Sequence, residues 1–276
     1  MLLLAWGASG LPVALPASPP GKTRAMESFR FMLDADTCLA PEDGLFTPRG
    51  FTPYRMLVRD LLLGDSTNQT VLQVVVSPSF ASPYSLRLEE RPRTDDDVAR
   101  PAPYQLRLVR AKKHPWVQMM DEMHRQQGDV IRLGDAEQQS ALSAVSRATE
   151  VKTVPVAASV ANHLAAIWAG ALARTQYANE ITTAPDGSQV GTAKLDGTTY
   201  DFWHDDRSGK THSPENGSLL GDLVVVVETL TRYADASQAK QPVLEKQLVT
   251  QLDRLQHRLK RNEPCLRPLA PRTRNH

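Results

Sequence analysis

Cysteine is nearly absent. The 276 residues hold two, Cys38 and Cys265. Two thiols alone cannot build a structural zinc centre, and no histidine stands near them at zinc-finger spacing. An excess of charge of one sign is lacking as well: 32 Lys and Arg face 31 Asp and Glu, for a net charge of +1. That balance excludes the broad electrostatic attraction on which nucleic-acid binding depends, so no nucleic-acid partner is expected. A membrane span needs roughly 20 apolar residues. The stretch from Val154 to Ala173 has the length but contains Asn162 and His163 and is mainly alanine, so no span is expected.

Familiar catalytic signatures are missing too. The chain has no H-E-x-x-H, no G-x-S-x-G and no G-x-G-x-x-G. Gly209-Lys210-Thr211 has the ending of a phosphate-binding loop, but His204 stands where the earlier glycine belongs and Pro214 interrupts the helix that should follow. Ser237 and Lys240 satisfy S-x-x-K without its partner motifs. No cofactor and no metal are therefore expected, and the balance leans away from an enzyme.

What is present begins with a leader. Met1 to Ala8 opens an apolar run that continues through Leu11, Val13, Ala14 and Leu15, and Thr23-Arg24-Ala25 offers small residues where a signal peptidase cuts. No Lys or Arg precedes the run. Residues 1–25 are read as a signal peptide and the protein as periplasmic or secreted. Two cysteines in an exported chain predict one disulfide, Cys38 to Cys265.

Periodicity divides the rest. Phe29, Phe31 and Leu33 alternate as a strand. Pro-Tyr opens three further segments, at Pro53, Pro83 and Pro103, each read as a strand because apolar residues alternate behind it. Val71 to Val76 is β-branched and reads as a buried strand. From Pro115 the period lengthens. Trp116, Met119, Met120 and Met123 share one helical face, as do Val160, Leu164, Ile167, Trp168, Ala171 and Leu172. Asp135 is read as the cap of a helix reaching about Thr149. Asp196-Gly197 marks a hairpin turn. Ser218 caps a helix through Tyr233, and Leu244 to Leu259 forms the stripe of a last one.

The expected fold class is α+β. A β-rich lobe of antiparallel strands spans 26–112. A mainly helical lobe spans 113–262 and contains a hairpin at 190–204. A basic tail covers 263–276. The disulfide would join both lobes into one unit.

Candidate chemistry gathers after the hairpin. His204, Asp205, Asp206 and His212 are read as one polar loop, with Trp203 at its edge and Glu215 nearby. Imidazole and carboxylate suit metal ligation or acid–base work. The same residues also make an ordinary solvated turn. His163, on the alanine-rich helix, reads as a hydrogen-bonded core residue. The preferred reading is an exported, non-catalytic binding protein of a bacterial envelope. It would be an inhibitor or immunity-type partner of a secreted enzyme, meeting its protein partner through Trp203, His204, Asp206 and His212. The alternative is a metal-dependent hydrolase built on residues 204–212.

Overall fold

The computed structural model describes residues 31–33, 38–40, 52–64, 69–91, 103–128, 131, 134–175, 182–183, 189–190, 196–262 and 266–268. In chain order the elements are β1 (Phe31–Leu33), α1 (Thr52–Leu63), β2 (Gln69–Pro78), β3 (Tyr84–Glu90), β4 (Tyr104–Ala111), α2 (Pro115–Gln127), α3 (Asp135–Leu142), β5 (Thr149–Val156), α4 (Ala158–Leu172), β6 (Thr182–Thr183), β7 (Gln189–Val190), β8 (Thr198–His204), β9 (Arg207–His212), α5 (Leu219–Asp235), α6 (Gln241–Lys260) and β10 (Leu266–Pro268).

Six strands form one antiparallel sheet in the order β5-β4-β3-β2-β8-β9. The α+β class holds. The division into a strand half and a helix half holds only in part. Strands β2 to β4 do lie before residue 112, and α2 to α6 follow it, but β5, β8 and β9 complete the same sheet from beyond that point.

The sheet has two unlike faces. Side chains alternate along each strand. Leu72, Val74 and Val76 of β2 share one face with Leu86 and Leu88 of β3, Leu106 and Leu108 of β4, and Tyr200 and Phe202 of β8. Helices α4, α5 and α6 cover this face in a single apolar core. Trp168 of α4 meets Phe202 edge to face at 5.5 Å. Leu248, Leu252 and Leu255 of α6 are buried in the same core. Ser218 caps α5 by accepting a hydrogen bond from the Gly221 amide at 2.9 Å, a contact worth about 1 kcal/mol. Asp222, in that first turn, accepts from Arg258 Nη1 at 2.8 Å, which ties α5 to α6.

The opposite face carries Val75, Ser85, Arg87, Glu89, Gln105, Val109, Asp201 and Trp203. Helix α1 lies on it, with Val58 and Leu62 packed against Val75 and Val109. Polar groups complete the docking. Ser85 Oγ donates to the Leu62 carbonyl at 2.9 Å, and Arg87 Nη1 donates to the Leu63 carbonyl at 3.1 Å. These carbonyls end a helix and have no partner within it, so the sheet supplies one. Arg87 in turn pairs with Glu89 at 3.4 Å, with side chains 2% and 0% exposed, and Gln105 Nε2 donates to Glu89 at 3.0 Å. Helices α2 and α3 lean on α1, where Leu57 meets Met119, Met123, Leu142 and Val145. The methionine stripe is core.

Several expectations need correction. Residues 53–58 are helical, not a strand: Leu57 with Leu61 and Val58 with Leu62 are spaced for a helix, and Pro53 stands early in it, where proline is tolerated. The helix from Asp135 stops at Leu142, and Thr149–Val156 is an edge strand. The loop from Asp205 contains β9. Part of the expected tail, Leu266–Pro268, pairs with β1, with Leu33 opposite Leu266. The leader, Cys265 and most of the Asp34 to Gly50 loop lie outside the described residues. No helix among the described residues is long and apolar enough to cross a membrane.

Candidate functional site

The hairpin of β8 and β9 decides where the sequence-predicted site residues go. Its turn is Asp205-Asp206, between the paired residues His204 and Arg207. Asp205 takes a positive φ of 53°, a conformation that aspartate adopts more readily than most side chains. His204 Nδ1 lies 3.0 Å from Asp205 Oδ2. Asp206 is exposed in the turn. His212 stands at the other end of the hairpin, opposite Thr199. Its Nδ1 is 3.0 Å from Thr199 Oγ1 and its Nε2 is 3.2 Å from the Asp196 carbonyl.

His204 and His212 are thus separated by five steps of the ladder, roughly 16 Å along the strands. They also project from opposite faces, since His204 follows Phe202 in alternation while His212 shares the row of Thr199, Asp201 and Trp203. The structure does not bring these histidines together. No group of three or more metal-ligating side chains occurs among the described residues. Gly209 explains why this polar segment is a strand: a side chain there would meet Leu39 Cβ at 2.9 Å and Leu172 Cδ2 at 3.1 Å, so only glycine lets β9 seat against the core. His163 lies 3.9 Å from Asp253 of α6 and joins no site.

Trp203 has a different setting from the histidines. It lines a cavity of about 50 Å³ between α1 and the polar face of the sheet, with Tyr54, Arg55, Val58, Arg59, Val75, Ser77 and Asp201. The helical residues fall at i, i+1, i+4 and i+5, a single helix face. The strand residues Val75 and Ser77, and Asp201 and Trp203, alternate on a single sheet face, with Val75 directly opposite Asp201. The Arg59 guanidinium carbon sits 5.6 Å from the centre of the Trp203 ring, within cation–π range. Burial pushes the Tyr54 phenol up to about 12, against the opposing effect of its hydrogen bond with the Trp116 backbone, so this hydroxyl stays neutral at physiological pH. Its ring packs edge-on to Trp116 at 5.2 Å.

Pockets that hold free metabolites run from about 300 to 1,000 Å³. A cavity of about 50 Å³ admits a small side chain or a water. Its walls supply two guanidinium groups, an indole, a phenol, a hydroxyl and a carboxylate, a set suited to recognition. Reading residues 53–58 as a strand hid Tyr54, Arg55 and Arg59, because a strand would have scattered them over two faces. The i, i+4 apolar pairs of α1 were the signal that would have found them.

Comparison with protein-family models, with curated proteins and with solved structures finds no match to this chain.

Proposed function

We propose that this protein is an exported, non-catalytic binding protein of a bacterial envelope, an inhibitor or immunity-type partner of a secreted enzyme. The observation that carries the reading is the Arg59–Trp203 pair in the wall of a cavity too small for a free metabolite. Tryptophan, tyrosine and arginine dominate the energetics of protein interfaces, and they act best beside a small pocket that takes one partner side chain. Arg59 is exposed and Trp203 half-buried, so the pair is available to a partner surface.

Export rests on the leader and on a Cys38–Cys265 disulfide. Cys38 is buried at 2% exposure. The pairing of Leu33 with Leu266 supports the bridge, since the cysteines follow and precede these paired residues closely in sequence. An oxidising compartment would keep such a bond.

The test uses the full chain as bait in extracts and culture fluid of its host, beside Arg59→Ala and Trp203→Ala variants of matched thermal stability. A discrete secreted enzyme is expected at near-stoichiometric amount, its affinity falling by about 30-fold in each variant, the cost of losing one hot-spot residue. A partner that binds both variants as tightly as the parent chain would remove the site from this face.

A further inference from the structure

Strand β5 is an edge of the six-stranded sheet. Its hydrogen-bonding sense is fixed by two hydrogen bonds and a proline. The Lys112 amide donates to the Ala148 carbonyl at 3.0 Å, in line with the register that pairs Ala111 with Thr149. Alternate residues of an antiparallel strand bond to the same neighbour. Residues 150, 152, 154 and 156 therefore bond to β4, and residues 149, 151, 153 and 155 turn their amides and carbonyls outward. Pro155 agrees, because it has no N–H and costs nothing at an outward position. The Pro155 carbonyl agrees too, since it accepts from the Tyr233 hydroxyl of α5 at 2.9 Å. Proline and tyrosine thus close one end of the edge. Thr149, Val151 and Thr153 remain, and no described residue bonds to their outward backbone groups.

That open stretch reads Thr149-Glu150-Val151-Lys152-Thr153. It is self-complementary about Val151. Turned end for end, threonine meets threonine, glutamate meets lysine, and valine meets valine. We propose that β5 pairs antiparallel with β5 of a second copy of this chain, across a two-fold axis at Val151, to make one continuous sheet through both copies. In that register Thr149, Val151 and Thr153 face Thr153, Val151 and Thr149 of the other copy, and each pair exchanges both backbone bonds. Glu150 and Lys152 then pair with their opposites across the junction, as opposite charges on neighbouring strands favour. Within one copy they already lie 3.3 Å apart, and Lys152 also bonds to Asp235 at 2.6 Å; with side chains 47% and 38% exposed, both stand at the rim within reach of a partner strand. Val151 is 46% exposed, an apolar side chain on an open edge that the second copy's valine would cover. Pro155 falls just outside the paired stretch, so it interrupts none of these bonds. An isologous contact of this kind closes on itself and stops at two copies.

The test is the association state of the full chain, measured by sedimentation velocity as concentration rises to about 0.5 mM, high enough to reveal a small interface. A monomer–dimer equilibrium is expected, and hydrogen exchange should show the Val151 and Thr153 amides slowing as dimer forms. Val151→Lys and Val151→Glu each place like charges across the axis. Each should weaken its own dimer about 100-fold, while an equal mixture of the two restores it. Thr153→Pro removes an outward amide without touching β4, and should weaken the dimer in a chain that still folds. A chain that stays monomeric throughout the range overturns the proposal. So does a dimer indifferent to all three substitutions, or a charge-mixed pair that fails to associate.

Discussion

The two faces of the central sheet are built on different terms. The face under α4, α5 and α6 is apolar from Leu88 to Phe202, and helices meet it through side chains alone. The face under α1 keeps an ion pair and a hydroxyl out of water, with a half-buried amide beside them, and a helix meets it partly through its own terminal carbonyls. The centre of the apolar face sets no direction, because dispersion and burial have none, and the polar contacts of α5, from Tyr233 to the Pro155 carbonyl and from Asp235 to Arg110 and Lys152, stand at its rim. The polar face accepts one helix in one register, because each buried donor must find its acceptor. That precision holds Arg59 over Trp203. The difference teaches that the stability of this fold and the placement of its candidate site have separate sources.

The largest expected effect breaks the apolar face. Trp168→Ala should cost about 4 kcal/mol in denaturant unfolding, from a buried side chain lost and a cavity left behind. Trp168→Phe should cost much less, since the indole N–H has no acceptor among the described residues. On the polar face, Glu89→Ala should cost about 3 kcal/mol, because it removes the carboxylate with which the buried Arg87 pairs. Replacing both partners, as Arg87→Met with Glu89→Leu, should recover most of that stability while loosening the Arg59–Trp203 contact, seen as altered tryptophan fluorescence. If the double variant instead keeps the Arg59–Trp203 contact intact, the polar layer does not position the site.

The smallest effect lies at the rim. Asp235 accepts from Lys152 Nζ at 2.6 Å and from Arg110 Nη2 at 3.1 Å. Burial alone would raise its carboxyl, but the hydrogen bonds from Lys152 and Arg110 outweigh it and hold the group below its ordinary value of 3.8. A carboxyl depressed on folding contributes stability that is complete above its unfolded value and is lost as pH falls through the folded one. Lys152 is raised above 10.5, chiefly by its hydrogen bond to Asp235 and then by that to Glu150, so its share is complete below that value and fades as pH rises beyond it. Asp235→Asn should flatten unfolding stability at both the acid and the alkaline end, with little change near neutrality beyond that expected of an exposed pair.

How much of this was legible beforehand varied with the range of the interaction concerned. Helices α4, α5 and α6 were readable because each carries its own stripe and, for α5, its own cap at Ser218. Strands β3 and β4 were readable from alternation behind Pro-Tyr. The same dipeptide misled at Pro53, because Tyr54, Met56 and Val58 also alternate, and nothing local weighs that against the i, i+4 pairs. Strand β9 was illegible as a strand. Its outward residues are polar, and its inward Gly209 is explained by Leu39, Leu172 and Thr175, all distant in sequence. Strand β5 is half exposed and carries a proline, as edges do, and such a segment looks like a linker. Of the four predicted contact residues, Trp203 lines the cavity, and the others are spread along a hairpin whose fold depends on pairing with β2.

That pairing also imposes an order of events on the ribosome. Strand β2 sits between β3, which follows it at once, and β8, which arrives after seven further helices and strands have been made. Until then the meander of β2 to β5 ends in an open strand of Leu72, Val74, Val75 and Val76, the most aggregation-prone kind of edge. A nascent chain of this design is in its greatest danger when it is about two-thirds made, and a holdase that covers extended apolar segments would serve it best at that length.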